Sequence, residues 1–130
     1  MFKVTNTLGA WGERTALQAY MNQGFNLVAQ NVCNPKGKRF GEIDLIMRKR
    51  KVLVFVEVKS RQNTSYGHPA ESITYHKQQR LLKTIHWFLH AYPKFVQFQP
   101  RIDICIVRLS VDRTQKSVII IPNAVTDERR

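Results

Sequence analysis

The sequence predicts an α/β sandwich, a mixed central sheet flanked by helices, in the order α-β-β-β-α-β-β. Three observations carry that expectation. Apolar residues recur at three- and four-residue spacing in two segments, near the start of the chain and past its middle. Short runs of β-branched and apolar residues, bounded by turn residues, fill the rest. One run, Val52-Leu53-Val54-Phe55-Val56, is apolar without a break. Such a run is usually covered on both faces, as a layered fold provides.

Taken in order, Gly9 to Gln23 reads as a helix with Ala16, Leu17, Tyr20 and Met21 as its apolar stripe and Gly24 as its stop. Phe25 to Val32 alternates as a strand does. Asn34 to Arg39 is a polar turn that carries Lys36, Lys38 and Arg39. Two strands follow, about Gly41–Met47 and Val52–Ser60, joined by Arg48-Lys49-Arg50-Lys51. Gln62 to Pro69 reads as a loop. Ala70 to Tyr92 reads as a long helix, with Ile73, Leu81, Leu82, Ile85, Phe88, Leu89 and Tyr92 on its inner side and Pro93 ending it. Arg101–Leu109 and Val118–Ile121 complete the strands, and a tail begins at Thr126. No repeat, low-complexity tract or linker divides the chain, so one domain is expected over 1–130, with its core at about 8–125.

Composition narrows the partner. The 130 residues are 43% hydrophobic and 23% charged, the balance of a globular chain that can bury a core. Twenty-one Lys and Arg oppose nine Asp and Glu, a net charge of +12. That excess suits a polyanion such as nucleic acid, although solubility alone would also account for it. The two cysteines, Cys33 and Cys105, match no metal-ligand spacing and read as thiols in a reducing compartment. The N-terminus has no apolar signal core, and no stretch is apolar enough to span a membrane. A cytoplasmic protein without membrane contact is the expectation.

Against that basic background, the placement of three acids stands out. Asp44 lies in Gly41-Glu42-Ile43-Asp44-Leu45-Ile46, and thirteen residues later the apolar run ends in Glu57-Val58-Lys59. Carboxylates within a phosphate-binding surface repel the ligand unless a cation bridges the two. Alternation along a strand puts Glu57 and Lys59 on one face. With Lys49 and Arg50 as the turn, Asp44 pairs opposite Phe55, diagonal to Glu57 on the same face. Glu42 then faces Glu57 and competes for the same ion. An even shift of register preserves this arrangement and an odd one destroys it. Mg²⁺, or Mn²⁺ in its place, takes hard oxygen ligands and retains waters, so Asp44 and Glu57 are the expected metal ligands. Lys59 would face the phosphate on which the ion acts. A solvated strand face is the plainer reading of Glu-x-Lys, and the apolar run before it argues against that.

Glu13 shares the apolar stripe of the first helix, either as an acid facing a metal or water, or as a first-turn glutamate favoured by the helix dipole. Arg48, Lys49, Arg50 and Lys51 suit solvent and also a phosphate backbone. Lys77, Gln78 and Arg80 could present polar groups from the second helix to the sheet, or face solvent. His86 and His90 have i,i+4 spacing without the glutamate of a zinc helix and read as a packed flank. Asp103, beside Arg101 in an apolar strand, reads as half of a structural ion pair.

Gly12-Glu13-Arg14, Gly41-Glu42-Ile43-Asp44-Leu45-Ile46, Val54-Phe55-Val56-Glu57-Val58-Lys59 and Arg101-Ile102-Asp103 together resemble the bacterial YraN family, from about Leu8 to Val125. They are more distantly similar to archaeal Holliday-junction resolvases. The resemblance implies a restriction-endonuclease-like fold of the PD-(D/E)xK type. It casts Asp44 and Glu57 as metal ligands, Lys59 as the catalytic lysine, Glu13 as an accessory acid and Lys77 as the second-helix lysine. The expected function is Mg²⁺-dependent hydrolysis of phosphodiesters in DNA, including branched or structured DNA. The alternative is a catalytically silent DNA- or RNA-binding module. Junction-cutting enzymes act as homodimers, but the sequence carries no dimerisation signal above core packing.

Overall fold

The computed structural model describes residues 7–62 and 73–125. Helix α1 spans Leu8–Asn22, followed by strands β1 (Asn26–Cys33), β2 (Glu42–Lys49) and β3 (Val52–Gln62). Helix α2 spans Tyr75–Ala91 and precedes β4 (Gln99–Leu109) and β5 (Lys116–Ile121), with short 3-10 turns at Lys38–Phe40 and Pro93–Phe95. The five strands lie side by side in chain order. All neighbours are antiparallel except β3 and β4, which are parallel. That parallel pair needs a crossover, and α2 lies within it.

The helices cover opposite faces. Ala16 and Tyr20 of α1 pack on Leu45, Met47, Val54, Val56, Cys105 and Val107. Leu81, Leu82, Ile85 and Phe88 of α2 pack on Leu53, Phe55, Ile102, Ile104 and Ile106. Residues 53–56 have no exposed surface, so the unbroken apolar run is the central strand of a two-sided sandwich. Each such side chain contributes about 1.5–3 kcal/mol by burial.

The element order agrees with the sequence, and the differences have local causes. Met21 is about half exposed, because the buried stripe of α1 is Gly12, Ala16 and Tyr20. β3 continues to Gln62, where a loop was expected, because it pairs with β4 as far as Gln62↔Leu109. Ile73 and Thr74 precede α2, and the Thr74 hydroxyl accepts from Lys77 N–H as the N-cap. Tyr92 lies past the end of α2 and is exposed. The rest of the expected 62–69 loop, the expected helical turn at 70–72 and the tail from Thr126 lie outside the described residues.

Two glycines bring the layers together. At Gly12 a Cβ would collide with Ser60 Oγ, so glycine lets α1 approach the end of β3. Gly41, at φ +141°, is buried at the start of β2, where a Cβ would meet Thr84 and lie 2.7 Å from the Arg80 carbonyl oxygen. Backbone conformation and space both demand glycine there. Gly41→Ala is expected to cost more than about 2 kcal/mol in urea unfolding. Gly9→Ala, with nothing within 4 Å of the new methyl, should be neutral or slightly stabilising.

Candidate metal and phosphate site

β2 and β3 part where the acids sit. Their pairing runs from Lys49↔Val52 to Leu45↔Val56. Asp44 and Glu57 come next, across an opening. The Val58 N–H turns into this opening and donates to Asp44 Oδ2 at 2.7 Å. The turn is Arg50-Lys51, not Lys49-Arg50, and Arg48 and Lys49 belong to β2. The shift is even, so parity holds, and Asp44 comes level with Glu57 instead of diagonal to it. Glu42 does not face Glu57. It pairs with Cys33 of β1 and lies 3.6 Å from the Lys38 ammonium.

Asp44 and Glu57 line one cavity of about 270 Å³ with Glu42, Lys38, Arg39, Lys77 and Arg80. Glu57 is buried, and its Oε1 is 2.7 Å from Lys77 Nζ. Its ion-pair partner thus comes from α2. Asp44 has no ion-pair partner among the described residues. Burial, and then the nearby Glu57 charge, push its carboxyl up to about 7, while the Val58 N–H pulls the other way. Glu13 is half-buried at the same end of the sheet. Burial raises its pKa most, Glu42 and Glu57 raise it further, and the Asn31 side chain opposes them. Asn31 reaches this position from a left-handed backbone, φ 52°, that asparagine tolerates.

Of the expected residues, the fold thus brings Asp44, Glu57 and Lys77 into one cavity and sets Glu13 beside it. Lys59 is the next residue on the Glu57 face of β3, half-buried and in register with Ile106. It lies beyond the cavity lining and has no ion pair among the described residues. The hairpin cations are elsewhere. Five residues separate Glu57 from Val52, so the tip lies roughly 17 Å away along β3. Arg48 stacks over Phe98 at 4.8 Å, and Lys49 donates to the Gln23 carbonyl at 2.7 Å. Gln78 donates to the Ile73 carbonyl and not toward the acids. His86 and His90 lie on the exposed side of α2.

Sequence reasoning missed Lys38 and Arg39 as neighbours of the acids. Their segment is folded back by Asn34 N–H donating to the Gly41 carbonyl and by the Asn34 amide donating to Thr84 Oγ1. The signal was the pair Gly37 and Gly41, both at positive φ, bracketing the two cations.

Two hard carboxylates, one of them without an ion pair among the described residues, form a donor set that suits Mg²⁺ or Mn²⁺. Among the described residues no third His, Cys, Asp or Glu joins them at ligand distance, so waters or main-chain oxygens would complete the shell. Among the described residues no helix is long and apolar enough to cross a membrane.

Residues 12–107 match the model of the Uncharacterised protein family UPF0102. A UPF0102 protein of Acinetobacter baumannii (strain AYE) is 40% identical over 101 residues, 78% of this chain and 73% of its own. One from Syntrophotalea carbinolica is 35% identical over 109 residues, 84% of this chain and 85% of its own. A third, from Caldanaerobacter subterraneus subsp. tengcongensis, is 38% identical over 108 residues, 82% and 84% of the two chains. The chain therefore belongs to the UPF0102 family, which is the YraN family.

Proposed function

We propose that this protein is a metal-dependent nuclease acting on DNA, including branched or structured DNA. The observation that carries the reading is Asp44: a half-buried carboxyl with no ion pair among the described residues, sharing a cavity with the buried Glu57. A scaffold gains nothing from that pair, whereas a divalent ion would make both members favourable.

Asp44 and Glu57 would hold the ion. Bound there, Mg²⁺ would supply Lewis-acid polarisation of a phosphoryl oxygen and a bound water more acidic than bulk water. Lys38, Arg39 and Arg80, on the cavity wall, attract the phosphates on either side of the reacting one. Lys59, on the same strand face, offsets the charge that grows on the phosphate as water attacks and the ester oxygen leaves. Glu13, with its raised pKa, can hold a proton at the margin of the site. Arg48, Lys49, Arg50 and Lys51 would meet the backbone of a longer substrate at a distance. A cytoplasmic location is part of this proposal and fits a DNA substrate.

Two measurements test this. Labelled linear and four-way DNA should be cut in Mn²⁺ or Mg²⁺, and both chelation and Lys59→Met should stop cleavage. Binding in chelator should weaken with salt. Neutralising Lys38, Arg39 and Arg80 together should reduce that salt slope by as much as about 3. An unchanged slope on neutralising residues 48–51 would assign the hairpin to solvent. Tight DNA binding with no cleavage of any substrate would instead identify a silent binding module.

A further inference from the structure

We propose that Lys77 is a resident counter-ion that yields Glu57 to the metal when a phosphate takes its ammonium, so that metal and nucleic acid bind cooperatively. The inference deepens the nuclease reading and rests on it. It starts from one contact: the ammonium is 2.7 Å from Glu57 Oε1, on the acid expected to ligate the ion. The two ends of this pair differ. Glu57 is fixed in a buried strand, with 8% of its side chain exposed, whereas the Lys77 side chain is 46% exposed. Lys77 lies in the first turn of α2, three residues past the Thr74 cap. Its four-carbon stem can therefore swing without moving the helix.

A divalent ion between Asp44 and Glu57 would lie close to this ammonium, and like charges at such range repel. Metal binding in the absence of substrate must therefore displace Lys77 into solvent. The cavity wall already holds Lys38, Arg39 and Arg80, where a phosphate would sit. A phosphate there gives Lys77 a new partner and leaves Glu57 to the ion. Each ligand then favours the other by the same factor, as linkage requires.

The test is calorimetry of Mn²⁺ binding to wild type and Lys77→Met, with and without a short DNA duplex bearing a non-hydrolysable backbone at its centre. For wild type, the duplex should tighten Mn²⁺ binding. Without DNA, Lys77→Met should bind Mn²⁺ about 3–10-fold more tightly than wild type, because the competing cation is gone. It should also show less enhancement by the duplex than wild type does. Lys77→Arg should keep the enhancement. Circular dichroism serves as the folding control for Lys77→Met, which strands the buried Glu57, while Lys77→Arg keeps the pair. Equal or weaker Mn²⁺ binding by Lys77→Met, or an undiminished duplex effect, overturns the role of Lys77 while leaving the metal site standing. If neither protein binds Mn²⁺ under any condition, the metal reading itself fails and this proposal goes with it.

Discussion

Asp44→Asn should abolish divalent-metal binding and yet leave the metal-free protein at least as stable as wild type, more so above pH 7. The asparagine carbonyl can still accept from Val58 N–H, which Asp44 binds at 2.7 Å, and the amide carries no charge to oppose Glu57. The sign of the pH effect follows from the direction of the shift. In the folded chain Asp44 titrates at about 7, above its ordinary value of 3.8, because burial and Glu57 both oppose its charge. Between those values the folded state holds a proton that the unfolded chain has released, so stability falls as pH rises through the interval. The contribution is fully present below about pH 4 and gone above about pH 7, and amounts to as much as about 4 kcal/mol. Asp44→Asn lacks this loss. Its melting temperature relative to wild type should therefore climb from pH 4 to pH 8 in chelator. At pH 8, Mg²⁺ at a hundred times its Kd should raise wild-type stability by about 2.7 kcal/mol and leave the variant unmoved. If the variant melts well below wild type at pH 8 in chelator, and Mg²⁺ does not shift wild type, the pair is scaffold and the nuclease reading should be abandoned.

Much of this was legible in the sequence because it depends on parity and period. The unbroken run at residues 52–56 could only be a strand covered on both sides, and alternation from it fixed the faces of Glu57 and Lys59. Parity also put Asp44 on the face of Glu57 even though the turn was misplaced, since an error of two residues leaves the faces unchanged. What escaped depends on contacts between segments far apart in the chain. Nothing near Glu57 in sequence says that Lys77, twenty residues on, supplies its counter-ion. Lys38 and Arg39 looked like turn cations because their placement follows from Gly41 fitting against the α2 backbone. Glu13 looked like part of a buried stripe, but the stripe runs through Gly12, Ala16 and Tyr20, and Glu13 stands half-buried at its edge. The +12 charge suggested a polyanionic partner and gave no location for it.

Asp103→Asn should behave in the opposite way to Asp44→Asn, although both replace an aspartate set in an apolar strand by its amide. Asp103 has no exposed surface and is fully engaged. The Tyr20 hydroxyl donates to Oδ2 at 2.6 Å, Arg101 donates through Nε to Oδ1 at 2.9 Å and through Nη2 to Oδ2 at 3.0 Å, and Asn123 N–H donates to Oδ1 at 3.0 Å. Every donor faces an acceptor, and the one charge faces a guanidinium that also packs over Phe25 at 5.5 Å. Asparagine would turn an NH₂ toward one of these donors and leave Arg101 without a counter-charge. Breaking a buried pair from one side costs about 3–5 kcal/mol. That is a large share of the roughly 5–15 kcal/mol that holds a domain of this size together. The loss should reach the site only through the fold. Tyr20 ties α1, the helix of Glu13, to β4, so the folded fraction of Asp103→Asn should fall while the Mn²⁺ affinity of what remains folded stays within about threefold of wild type. Urea unfolding in chelator, followed by Mn²⁺ calorimetry in stabilising osmolyte, separates the two effects. If Asp103→Asn unfolds within about 1 kcal/mol of wild type, the network is not the scaffold proposed, and a buried acid could not be sorted into site or framework by its partners.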